Sequence, residues 1–274
     1  MNYPIWELST FGGGFLIALI AIVHVLVSHF AVGGGLFLIS LERKAYREEN
    51  PALLEYVKKH SKFFLLLTMV FGGITGVGIW WIISLLNPAA TSALIHIFVF
   101  GWAAEWVFFF AEIVALFIYY YTFGKMERKK HLLIGALYFF CAWMSLFLIN
   151  GIIDFMLSPG AWLENQNFWT GFFNPTFWPA LVFRTGLSLV LCGVFGFITA
   201  AYVKDEELRT NIMRTCAKWV AIPFVLMLAG GWWYIEALPG SVSHLIFEHS
   251  PEISAYLSTL AWATPLFFAL SMFM

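Results

Sequence analysis

Charge is what this sequence has least of. Only 11% of its 274 residues are Asp, Glu, Lys or Arg, against roughly 25% in a soluble domain, and 61% are apolar, with a mean hydropathy of +0.82. A water-soluble globule and a disordered chain are both excluded, which leaves a polytopic membrane protein. Cysteine is scarce as well. Cys141, Cys192 and Cys216 stand apart with no CxxC or CxxCH pair, so no zinc knuckle, iron–sulfur cluster or covalently attached c-type haem is encoded. Period-two alternation is absent throughout, which excludes the strands of an outer-membrane barrel. Met1–Thr10 lacks a basic n-region, so no cleavable signal peptide is expected. The formal net charge of −1 gives no reason to expect nucleic acid as a partner.

Long apolar runs are present in abundance. Those at 11–41, 63–86, 92–122, 132–157, 177–203, 213–235 and 253–273 are each long enough to cross roughly 30 Å of hydrocarbon as a helix. The expected fold is therefore all-α: a polytopic membrane helix bundle of about seven transmembrane helices in one domain spanning residues 1–274. A lipid bilayer satisfies its apolar surface, and the helices satisfy its backbone. Lys and Arg cluster in alternate connections, at 43–62, 125–130 and 204–218, while the connections 87–91, 158–176 and 236–252 hold none. The positive-inside rule then puts the N-terminus outside, on the periplasmic side of a bacterial-type inner membrane. Arg184, inside the fifth run, is the exception. The segment 52–60, following Asn50-Pro51, reads as an amphipathic stretch of the first inner loop, and the aromatic loop 162–178 as an interfacial one.

An ionisable group inside the membrane is costly, so each is a functional candidate. His24 lies in an aliphatic run with glycines at 12–14 and 33–35. Small residues let either a neighbouring helix or a flat macrocycle approach, so His24 reads either as a haem ligand or as a hydrogen-bonding partner of another helix. His29, five residues on, points about 140° away around the helix, so at most one of the two ligates a given haem, and His29 is the second choice. Glu105 and Glu112, seven apart, share one face two turns apart along the axis. They read as a proton relay, as part of a haem environment, or as acids bonding a neighbouring helix. Arg184 either snorkels outward as an interfacial anchor or takes an anionic partner: Asp154, a haem propionate or Glu164. Asn150 and Asp154, four apart, share a face near the same end.

Together these segments resemble subunit I of the cytochrome bd quinol oxidases over about five helices, residues 15–203. The similarity rests on His24 followed by GGGLFLISLE to Glu42, on FGGITGVGIWW, on the two-glutamate helix AEWVFFFAEIVALFIYYYTFGKM, on LINGIIDFMLSPGAW and on FFNPTFWPALVFRTGLSLVL. The resemblance implies His24 as a haem ligand, haem of b or d type, Glu112 and Glu105 near the haem, and a second membrane subunit. Two departures stand out. Arg184 occupies the place of the family's haem-binding histidine on helix five, and the connection EALPGSVSHLIFEHSPEIS lacks the lysine of the family's quinol loop. The expected function is a haem-binding electron-transfer subunit of a bd-oxidase-like respiratory complex. Its partners would be the quinone pool or a c-type cytochrome, with oxygen reduction as one outcome, and Arg184 and Asp154 would take part in cofactor binding. The alternative is a haem-free membrane anchor that docks extramembrane redox subunits. An ion path through Glu105, Glu112 and Asp154 is a third reading, for which the sequence offers no inverted repeat.

Overall fold

The computed structural model describes residues 4–10, 12–250, 253–256, 258–259 and 262–263. Among these, all regular structure is helical. Helix α1 runs from Gly12 to Arg47, α2 from Pro51 to Leu65 and α3 from Gly73 to Leu86, with a π-helical stretch, Leu66–Gly72, between the last two. Then come α4 (Pro88–Ile97), α5 (Val99–Tyr121), α6 (Arg128–Asp154), the short α7 (Trp162–Asn165) and α8 (Phe168–Phe172), α9 (Phe177–Ala200), α10 (Glu206–Ala237) and α11 (Gly240–Phe247). Among the described residues six helices are long and apolar enough to cross a membrane, counting Pro51–Leu86 as one. The seventh expected run, 253–273, falls largely outside the described residues.

Two of the differences from the hydropathy reading have a clear local reason. The second span begins at Pro51 and not near residue 63. Pro51 supplies a preset first helical residue, and the Asn50 side chain accepts the Leu53 N–H at 2.9 Å. The amphipathic stretch 52–60 is thus the first turns of the membrane helix itself, because a drop in hydropathy does not end a helix that meets no proline or cap. The third expected span, 92–122, is divided. Asn87 caps α4, accepting from Ala90 N at 3.3 Å with Pro88 at the first helical position. The chain leaves helical geometry at the fully buried Phe98 (φ −115°, ψ 31°) and starts again as α5.

The chain divides into two compact units, Met1–Ile149 and Asn150–Met274. In the first, α1 is wrapped by α2, the π-helical stretch and α3 on one side and by residues of α6 on another. Its triple glycine is where neighbours come closest. A Cβ on Gly34 would overlap the Phe64 ring, and one on Gly35 would meet Tyr138 at 2.5 Å. Phe30, Phe37, Phe64 and Tyr138 fill the surrounding core, all at most 1% exposed. In the second unit, α9 and α10 form an antiparallel pair in which backbone meets backbone. A Cβ on Gly193 would lie 2.6 Å from Cys216 O, and one on Gly230 would lie 2.5 Å from Phe183 N. Small residues at such crossings give the close packing that substitutes, in lipid, for the hydrophobic effect. Because the obstructing atoms are backbone, Gly230→Ala is expected to destabilise the purified protein by about 1–3 kcal/mol. The readout is a lower thermal midpoint in detergent, and an unchanged midpoint would show that the pair is looser than this. The connection between α6 and α9 is knotted by buried polar groups. Asn174 Nδ2 donates to Gly151 O and to Gly171 O, both at 3.1 Å, while Ser158 and Thr176 bond each other and the Asn174 oxygen.

The outward faces are strongly apolar: Ile74, Val77, Trp81 and Phe100 are all at least two-thirds exposed. Surface of this kind on every long helix is what a bilayer, or another membrane subunit, covers.

Candidate functional site

The polar residues of the first unit fall into two groups, one on α1 and α3 and the other along α5. His24 is half-buried on α1 and faces α3. Its Nδ1 lies 3.1 Å from Thr75 Oγ1, and the ring lies over Gly76, where a Cβ would come within 3.1 Å of Cε1. Nε2 makes no hydrogen bond to a described residue. One imidazole nitrogen is therefore anchored, and the other makes no hydrogen bond among the described residues. His29, by contrast, is buried at 3% exposure, and its Nδ1 donates to Val25 O of its own helix at 2.8 Å.

Along α5, Glu105, Glu112 and Tyr119 repeat at seven-residue steps and so lie along one face. Glu105 is half-buried and accepts the Ser145 hydroxyl of α6 at 2.7 Å. Glu112 is 7% exposed and makes no hydrogen bond to a described residue. Tyr119 leads to a buried cluster that the sequence did not reveal. Its hydroxyl donates to Glu42 Oε2 at 2.7 Å, His131 Nδ1 meets Glu42 Oε1 at 2.7 Å, and His131 Nε2 donates to the Tyr119 carbonyl at 2.8 Å. The Tyr119 and His131 rings stack with centroids 4.2 Å apart. Glu42 and His131 are 0% and 1% exposed, respectively. The available signals were faint. Tyr119 continues the spacing of the two glutamates, but Glu42 lies in the charged C-terminal stretch of α1 and His131 sits beside a lysine run, where solvated side chains are expected.

In the second unit, Arg184 on α9 pairs with Asp154 at the end of α6, Nη2 to Oδ1 at 3.3 Å. Asn150 Nδ2 donates to Phe177 O at 2.9 Å. Its Oδ1 and the Asp154 Oδ2 are buried without a hydrogen-bond partner among the described residues. Among the described residues no group of three or more His, Cys, Asp and Glu side chains is arranged to hold a bare metal ion.

A family model described as cytochrome bd terminal oxidase subunit I matches residues 15–239. The chain belongs to this family. Every group described above, from His24 to Arg184, lies within the matched residues. Among solved structures, the bd oxidase from Geobacillus thermodenitrificans has the same fold, with a TM-score of 0.72 at 20% sequence identity. That match covers 87% of this chain and 56% of the other, so the chain spans little more than half of the bd oxidase chain it resembles. Among curated proteins none matches. The chain is thus a multi-pass membrane subunit of bd-oxidase type. The bd subunit I family is one of haem proteins, and the residues can be tested for that group. His24 fits, with one nitrogen anchored, the other without a described partner, and a glycine beneath the ring. Arg184 does not fit as an iron ligand, because a guanidinium has no lone pair to give and this one is engaged with Asp154.

Proposed function

We propose that the chain is a haem-bearing electron-transfer subunit of a bd-type respiratory complex. It acts as one transmembrane domain in a bacterial inner membrane, with its N-terminus on the periplasmic side and a second membrane subunit beside it. The observation that carries this reading is the setting of His24: a half-buried imidazole in an apolar helix, fixed through Nδ1 and lying on Gly76. Haem of b or d type, bound through Nε2, supplies reversible one-electron exchange at its iron. His29 is the weaker choice of ligand, being buried and bonded along its own helix.

The remaining roles belong to the chain's own side chains. Glu112 and Glu105 lie along one face of α5 and hand protons along it, with Ser145 holding the Glu105 carboxyl. Arg184 spends one nitrogen on Asp154 and keeps further N–H donors for an anionic haem propionate, while Asp154 fixes the guanidinium. Electrons come from the quinone pool. A c-type cytochrome, the other donor considered from the sequence, has no support in the comparisons. The competing reading is a haem-free anchor docking extramembrane redox subunits. It draws on the Arg184–Asp154 pair, which stands where a histidine is expected in the family.

The proton role has its own test. Glu112→Gln keeps the shape and hydrogen-bonding capacity but cannot release a proton. Oxygen consumption by the purified complex is expected to fall by roughly 10²-fold, with the haem spectrum unchanged. Retained turnover would remove Glu112 from the proton route, and a lost spectrum would make it part of the haem environment instead.

A further inference from the structure

Thr75 has one proton to give, and two backbone carbonyls lie within reach of it. Its hydroxyl lies 2.9 Å from Phe71 O and 3.1 Å from Gly72 O, one turn back along its own helix. Carbonyl oxygens only accept, so the hydroxyl proton is engaged there. Towards His24 Nδ1, 3.1 Å away, Thr75 Oγ1 can then offer only a lone pair. An acceptor facing Nδ1 requires the proton to sit on Nδ1. In a neutral imidazole that leaves Nε2 bare, with its lone pair free to bind.

The π-helical stretch Leu66–Gly72 ends at Gly72, so both carbonyls that take the Thr75 proton come from its last two residues. A widened turn of this sort is frequent at functional positions. Thr75 is 6% exposed, so water does not compete for its hydroxyl, and Gly76 next to it leaves room for the ring to lie flat.

We propose that Thr75 is the positioning residue of His24: its hydroxyl, oriented by the Phe71 and Gly72 carbonyls, holds the imidazole as the Nδ1–H tautomer and presents Nε2 to the haem iron. This rests on the reading of His24 as the ligand and adds what selects its reactive nitrogen. An acceptor on the distal nitrogen of a ligating histidine fixes the ring's orientation and raises its basicity, and losing such a partner typically costs 10–100-fold in metal affinity.

The test uses the purified complex with Thr75→Val, which keeps the shape and removes the acceptor, and Thr75→Ser, which keeps the hydroxyl. The readouts are the ferrous iron–histidine stretching frequency in resonance Raman, the midpoint potential and haem retention. Thr75→Val is expected to lower the stretching frequency, move the potential in the positive direction and weaken haem retention by about tenfold. Thr75→Ser is expected to match the wild type. A Thr75→Val complex with wild-type frequency and potential overturns the assignment, and so does a Thr75→Ser complex as altered as Thr75→Val. His24→Ala separates the two claims. Haem lost in His24→Ala but unchanged in Thr75→Val removes the role of Thr75 alone, whereas a spectrum that survives His24→Ala removes the ligand reading beneath it.

Discussion

His24→Ala is expected to remove altogether the absorbance of the haem proposed at that position, while leaving the helices assembled. The ring is half-buried between α1 and α3, so its loss opens a cavity beside Gly76 without stripping a fully buried core contact. What disappears is the only bond through which the proposed site grips iron. Exogenous imidazole, which fits the space vacated by the side chain, is expected to restore part of the spectrum. His29→Ala makes the contrast. That ring is at 3% exposure and bonded to Val25 O, so its removal is expected to lower the melting temperature and leave the haem bands in place. If the two variants exchanged phenotypes, His29 and not His24 would be the ligand.

The second large effect concerns the Glu42–His131–Tyr119 cluster. Glu42 and His131 are almost wholly excluded from solvent, and every polar atom of the three-way contact is used. Removing one partner of such a pair leaves the other buried and uncompensated, at about 3–5 kcal/mol. His131→Ala and Glu42→Ala are therefore expected to unfold at markedly lower temperature, whereas Tyr119→Phe, losing one hydrogen bond to a charged group, costs about 1.5–3 kcal/mol. Replacing Glu42 and His131 together by leucine is expected to recover much of the loss, since neither charge is then stranded. Thermal melts of the four variants check the ordering. A His131→Ala protein as stable as wild type would mean that water reaches the cluster.

Hydropathy made the fold readable from the sequence, because length and apolar content are all that a membrane helix demands. What it missed were the places where helix continuity is decided by one residue. Pro51 with the Asn50 cap extends the second span downward, and Phe98 divides the third, although no proline or glycine occupies that position. His24, Glu105, Glu112, Asp154 and Arg184 were visible because a charge or an imidazole is conspicuous in an apolar run. Their partners were not. Thr75 lies 51 residues from His24, and a threonine in a membrane helix ordinarily bonds only its own backbone. His131 is 89 residues from Glu42, so only the folding of α6 against α1 brings them together.

The central claim is that this bd-type subunit carries haem at His24, and its most direct test is a pyridine haemochrome assay with a reduced-minus-oxidised spectrum on the purified complex, wild type beside His24→Ala. The expected result is haem of b or d type in the wild type, with one haem's contribution missing in the variant. A wild-type complex without haem, or a variant whose haem content and spectrum are unchanged, would contradict it.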